Sequence, residues 1–251
     1  MPGDVSLTAV GPVSVVEIHR PPSNFFDHEM LREVANACAE AEASPTCHAV
    51  VLVSEGRNFC AGADFSSAGM TTDRNSLAMR IYEEGQRLFH FDVPVVAAVQ
   101  GRAVGGGMGL ACAADFRVAS ESSTFHANFG QLGFHHGFAL SVTLPAIVGT
   151  QVARDLLLTS RRVDGVEAHR LGLVDRLAEP GAEREAALVL ANQIAACGRD
   201  AVRAMKRTLW AGLRSQVTNA LNHELREQEA LWATPDSRTR IAASTDPTRH
   251  R

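Results

Sequence analysis

Three consecutive glycines, Gly105-Gly106-Gly107, stand between an apolar run, Val95–Val99, and a run of small residues over 108–114. A strand, a glycine turn and a helix N-terminus in that order present free backbone N–H groups and the positive end of a helix dipole. Glycine lets the backbone reach positive φ and lets another group approach the main chain closely. The chemistry this suits is stabilisation of an oxygen that carries negative charge. The competing reading is close helix–strand packing alone. Neither common phosphate-loop pattern matches. Leu110 takes the place of the third glycine in G-x-G-x-x-G, and no Gly-Lys-Ser/Thr ending follows. A second glycine turn, Phe59-Cys60-Ala61-Gly62-Ala63-Asp64, follows the apolar run Ala49–Ser54. A third loop, 130–137, holds the adjacent imidazoles His135 and His136, which titrate near neutrality.

The elements that must hold these groups follow from periodicity and punctuation. Val5–Val10 and residues 13–20 predict a hairpin around Gly11-Pro12, ended by Pro21-Pro22. Asp27 is a good N-cap for a helix over His28–Ala43, with Met30, Leu31, Val34, Ala37, Cys38 and Ala41 on one face. A second helix is expected over 73–91, then short strands at 116–119 and 123–127. Helices at 139–148 and 152–159 are split by Gly149; Asp164 caps a short helix over 165–171, and 173–177 reads as a strand. Helices over 182–197, 200–211 and 216–232 follow, then a last one from Thr234-Pro235, and a polar tail, 246–251, expected to fray. Strands alternating with helices place the chain in the α/β class, with a core over 1–195 and a helical region over 196–251 forming one continuous unit.

Composition narrows the partners. Of 251 residues, 45% are hydrophobic and 21% charged, which suits a globular protein with a sizeable core. The net charge of −4 and the absence of a dense basic cluster argue against a nucleic-acid surface. No apolar run reaches the roughly 18–20 residues of a membrane span, and the N-terminal residues lack the pattern of a signal peptide. Five cysteines, odd in number and without a Cys-x-x-Cys pair, read as reduced thiols of a cytoplasmic protein rather than as a zinc site.

The two glycine turns together, Phe59–Asp64 and 101–115, resemble the crotonase superfamily, also called the enoyl-CoA hydratase/isomerase family. The stretch Leu157-Leu158-Thr159-Ser160-Arg161-Arg162-Val163-Asp164, then Glu167-Ala168 and Leu171-Gly172-Leu173-Val174, supports it, as does Trp232-Ala233-Thr234-Pro235-Asp236. The resemblance runs along almost the whole chain in the family's order. It implies a fold of stacked β-β-α turns with a C-terminal helical part that mediates trimers, often paired into hexamers. It implies an acyl-CoA thioester as ligand, with coenzyme A arriving as part of the substrate and no metal, nicotinamide or flavin. The shared chemistry is stabilisation of a thioester enolate by two backbone N–H groups, which fall by position on Ala63 and Gly106. Such donors are worth roughly 3–4 kcal/mol each in comparable enzymes. The family's ligand path falls on Ser23, Asn24 and Ala61; Arg20, Arg57 and Lys206 are candidates for the CoA phosphates, and Asp64 caps its segment or touches the ligand.

Hydratases of this family use two glutamates to position and deprotonate a water, and those positions are here Gly109 and Phe129. The sequence thus keeps the oxyanion turn and lacks both carboxylates. His136, then His135, then His126 are candidates for the missing acid or base, with Asp73, Glu83 and Glu84 beside them; helix capping or backbone bonding is the competing role of the histidines. The reaction class expected is enolate chemistry at an acyl-CoA: isomerisation, hydration of an unusual substrate or decarboxylation. Alternatives are a thioesterase or C–C hydrolase on the same scaffold, or a non-catalytic acyl-CoA-binding protein. Gly109 is expected to enlarge the pocket floor and Phe129 to make it apolar, which suits a bulky or aromatic acyl group.

Overall fold

The expected hairpin opens the chain: β1 (Val5–Val10) pairs antiparallel with β2 (Val13–Ile18) across Gly11, whose φ is +60°. The computed structural model describes residues 3–63 and 74–244. Asp27 caps α1 (His28–Ala43) as its position predicts, its carboxylate accepting from the Met30 amide at 2.9 Å. Then come β3 (Ala49–Ser54), α2 (Arg74–Arg87), β4 (Val95–Val99), β5 (Arg102–Val104) and α3 (Gly106–Cys112). The chain continues through β6 (Phe116–Ser120), β7 (Thr124–His126), α4 (Leu140–Val148), α5 (Thr150–Thr159), β8 (Arg162–Asp164) and α6 (Gly165–Arg170). It closes with β9 (Arg176–Ala178), α7 (Glu183–Ala195), α8 (Arg199–Trp232) and α9 (Pro235–Ser244).

Six strands form one sheet in the order β1-β2-β3-β4-β6-β9, parallel from β2 onward. A parallel sheet needs both faces covered. Accordingly β3 and β4 are buried along their whole length. Val16, Ile18, Val50, Leu52 and Ala97 join the main core cluster on the side of α1, while Val15, Val51, Val96 and Val118 cluster with Ala187, Leu190 and Ala191 of α7.

A second sheet, β5-β7-β8, buries one face and leaves the other to the site. Register partners Ala103, Phe125 and Val163 enter the core. Their sequence neighbours, Arg102 and Val104, Thr124 and His126, Arg162 and Asp164, turn to the opposite face. Helix α8 packs on α2 and α4, and its Val217, Leu221 and Trp232 join the main hydrophobic cluster, as does Ile241 of α9. The helical region is therefore continuous with the core.

Several boundaries differ from those expected. The helix over 73–91 ends at Arg87, and that over 108–114 begins at Gly106. The strand placed at 173–177 forms at Arg176–Ala178, with Leu173 and Val174 buried outside it. The two helices over 200–211 and 216–232 are one helix of 34 residues. Gly212 weakens that helix by about 1 kcal/mol relative to alanine, too little to break a helix docked along its length.

Candidate functional site

The glycine turns are packed against one another. A Cβ on Gly107 would lie 2.1 Å from the Cys60 carbonyl oxygen, so only glycine lets α3 start against that turn. Gly62 has φ +93°, and a Cβ there would lie 2.8 Å from the Val104 oxygen and 3.5 Å from the Gly106 nitrogen.

Two peptide units then aim their N–H groups outward. The Gly62 carbonyl accepts from the Phe26 amide at 2.9 Å. In a trans peptide the Ala63 N–H points opposite to that carbonyl, away from Phe26. The Gly105 carbonyl accepts from Met108 at 3.0 Å and Gly109 at 3.2 Å, so the Gly106 N–H points out of the N-terminus of α3. Among the described residues, neither amide donates to a protein group. Both residues line a cavity of about 1070 Å³, walled by Phe26, Ile81, Tyr82, Phe129, Phe138 and Trp232. Fixed donors in an apolar space stabilise a developing oxyanion.

The enoyl-CoA hydratase/isomerase family model matches residues 9–245. The chain belongs to the enoyl-CoA hydratase/isomerase family. It is 35% identical over 241 residues to a Mycobacterium tuberculosis protein named "Probable enoyl-CoA hydratase EchA14", covering 92% of this chain and 93% of that one. It is 31% identical over 247 residues to a short-chain-enoyl-CoA hydratase of Clostridium acetobutylicum, covering 96% and 94%. The crystal structure of an enoyl-CoA hydratase/isomerase from Pseudoalteromonas atlantica superposes with a TM-score of 0.86 at 26% identity, covering 96% of each chain. The crotonase-like fold expected from the two turns is the fold present.

Within this family fold, the structure gathers Ala61, Ala63 and Gly106 at the cavity. Asp64 and Asp73 lie outside the described residues. Ser23 and Asn24 hold the backbone of the turn. The Ser23 carbonyl accepts from Ala61 at 2.9 Å, and the Asn24 side chain donates to the carbonyls of Glu55 and Asn58. Arg57 is exposed and Arg20 is paired with Asp4 and Asp27; neither lines the cavity.

Lys206 is not at the cavity. It is buried, and its ammonium donates to Asp115 at 2.6 Å and to the Val93 carbonyl at 2.9 Å, fastening α8 to the start of β4.

The histidine pair is also elsewhere. His135 and His136 stack at 4.0 Å, and neither lines the cavity. His136 Nε2 is buried without a hydrogen-bond partner, 4.0 Å from the carboxylate of Glu224. Burial, then the neighbouring His135 and His223, lowers His136 to about 4, so it is neutral near pH 7 and forms no ion pair. Burial raises Glu224 to about 7 although Ser141 and Ala139 donate to it. Glu83 is exposed and Glu84 is paired with Arg87, both away from the cavity.

Gly109 does not enlarge the pocket: it is absent from the wall, because Phe138 fills the space beside it. Phe129 does line the cavity, as expected. The sequence reading missed Tyr82 and Gln228, whose hydroxyl and amide oxygen meet at 2.9 Å in the cavity wall. Gln228 and Trp232 lie one turn apart on α8, a spacing that signals a packed face but not what it packs against.

Proposed function

We propose that the cavity binds an acyl-CoA thioester with its carbonyl oxygen between the amides of Ala63 and Gly106, and that the protein catalyses reactions through the thioester enolate. The observation that carries this reading is the pair of outward peptide units, 62–63 and 105–106, each fixed by its own carbonyl and each without a described protein partner for its N–H. The names of the relatives, enoyl-CoA hydratases, support an acyl-CoA substrate. The amides are part of the chain, so stabilisation of the oxyanion needs no added group; coenzyme A enters with the substrate.

The positions of the family's two glutamates correspond to Gly109 and Phe129, neither of which exchanges a proton. Hydration of a simple enoyl-CoA by the two-carboxylate route is therefore not the activity we assign. The test is a mixed panel of acyl- and enoyl-CoA thioesters incubated with the protein and resolved by mass spectrometry. Turnover of at least one thioester is expected, with little loss of the enoyl absorbance of crotonyl-CoA. Hydration of crotonyl-CoA at the rate of an ordinary hydratase would reject the assignment of the two positions. Absence of turnover across the panel, with binding intact, would leave a binding protein.

The C-terminal helices α8 and α9 are proposed to join three copies in the cytoplasm. Met205 and Leu209, one turn apart on α8, are 62% and 81% exposed, an apolar pair that suits a subunit contact. Light scattering on the purified protein reads this directly, with a trimer or hexamer mass expected.

A further inference from the structure

The family reading leaves open which group moves the proton, and the cavity wall restricts the choice. Its titratable side chains among the described residues are Tyr82, Arg102, His126, Arg162, Asp164 and Arg240. The arginines are permanent cations. Asp164 accepts from the Glu167 amide at 2.8 Å as the cap of α6 and is exposed. Tyr82 donates to Gln228, and burial pushes its ionisation far above neutrality. His126 remains.

His126 is oriented as a base would need to be. Thr124, His126 and Asn128 alternate along β7 and the residues that extend it, and all three face the cavity, while Phe125 and Ala127 enter the core. The His126 Nε2 lies 2.9 Å from the Ser160 carbonyl oxygen, which can only accept, so the proton sits on Nε2. Gln131 donates to the same oxygen at 3.0 Å. Ser160 holds φ +50°, a conformation rare for serine that aims its carbonyl at the imidazole. With the proton on Nε2, Nδ1 is the basic nitrogen of the ring, and the Gln131 side chain also bonds this imidazole. Burial also favours the neutral ring.

The imidazole stands beside the oxyanion turn. His126 pairs with Val104 in the parallel register of β5 and β7, about 4.8 Å away. Its carbonyl accepts from the Gly105 amide at 2.8 Å, so the same residue that bears the ring pins the turn carrying the Gly106 N–H.

We propose that His126 is the catalytic acid–base of this protein, its Nδ1 exchanging a proton with a carbon next to the thioester carbonyl. This rests on the acyl-CoA reading above. The C–H bond breaks, its proton goes to Nδ1, and its electron pair becomes the enolate, with negative charge on the oxygen held by Ala63 and Gly106. The imidazolium shares its charge with the Ser160 carbonyl. The proton then returns to the same carbon or to another carbon of the conjugated system, so the ring ends as it began.

The test is proton exchange in D2O with acetyl-, butyryl- and phenylacetyl-CoA, followed by mass spectrometry. The wild type is expected to wash deuterium into the carbon next to the thioester. H126Q keeps a group able to bond Ser160 and is expected to lose about 100-fold or more of that rate. H126A leaves room for added imidazole, which is expected to restore part of it, a recovery that a purely structural role would not show. Calorimetric affinity for butyryl-CoA is expected to be unchanged in both variants. Exchange by H126Q at the wild-type rate overturns the role of His126 and leaves the enolate reading standing. Absence of exchange in the wild type with all three thioesters overturns both.

Discussion

Phe138 occupies the space that a side chain on Gly109 would need: a Cβ built on Gly109 would lie 2.5 Å from the Phe138 Cβ and 2.9 Å from its Cγ. Phe138 is fully buried and holds φ +61°, a conformation unusual for a bulky residue. Its ring packs on Phe26 at 5.7 Å and Phe89 at 6.3 Å between centroids. A carboxylate at 109 is thus excluded by packing.

Placing a glutamate at 109 alone is therefore expected to fail. Gly109→Glu should destabilise the fold by about 1–3 kcal/mol from overpacking alone, with no gain in crotonyl-CoA hydration. Phe138→Gly suits the positive φ but removes a buried ring, at a cost of about 3–5 kcal/mol. Combined, the two should be less destabilising than their sum, with a coupling of about 0.5–3 kcal/mol measured by urea unfolding. Additive free energies would show that the two side chains do not compete for the same space.

The buried Glu224 and the half-buried His136 make opposite demands on pH. In the folded protein His136 titrates at about 4 rather than 6.5, so between those values only the unfolded chain binds its proton, and stability falls on acidification. Glu224 titrates at about 7 rather than 4.5, so between those values only the folded chain holds its proton, and stability falls as pH rises. The slopes oppose each other from pH 4.5 to 6.5. Glu224→Gln should expose the histidine alone, giving a steeper loss of unfolding free energy from pH 6.5 to 4 than the wild type. His136→Gln should do the reverse, with stability dropping from pH 4.5 to 7. Wild-type profiles in both variants would rule out these burial effects.

Lys206 is a fastener, and its loss should read as instability rather than as weak CoA binding. Its ammonium shares Asp115 with the Trp210 indole N–H at 2.7 Å and the Val95 amide at 2.7 Å. Removing one partner of such a buried pair costs about 3–5 kcal/mol. Lys206→Met should lower the thermal midpoint by roughly 6–20 °C, taking about 2–4 °C per kcal/mol for a chain of this size. Butyryl-CoA affinity below the transition should be unchanged. A stable variant with weakened affinity would place Lys206 at the ligand instead.

What could be read along the chain was what local chemistry decides. Asp27 and Asp164 cap helices because a carboxylate three residues before an orphan amide does so in any fold. The glycine turns were legible because their order and spacing carry information that neither has alone. Strands β5 and β8 were missed: each is three residues long, below the length at which alternation separates a strand from a loop. The positions of Lys206, His136 and His126 depend on which helix or strand docks against them. Lys206 looks like a surface cation until α8 is laid beside Val93 and Asp115, at the entries of β4 and β6. His126 looked the weakest of three histidines until β7 turned its alternate face to the cavity.

The oxyanion reading makes a prediction that the fold itself should tolerate. The Ala63 N–H is not used by its bridge to Phe26, which is made through the Gly62 carbonyl. Ala63→Pro therefore removes a donor without removing a hydrogen bond of the fold, and the preceding glycine accommodates the proline ring more readily than other residues. If the amide holds the enolate oxygen, turnover or deuterium exchange should fall about 10²–10³-fold, the equivalent of about 2.7–4 kcal/mol of lost transition-state stabilisation. Ala63→Gly keeps the N–H and should retain most of the rate. Circular dichroism should match the wild type in both variants, and in the proline variant butyryl-CoA affinity should fall less than the rate, because the interaction lost strengthens as charge builds on the oxygen. Equal rates in the proline and glycine variants would show that the Ala63 amide does not bear the developing charge.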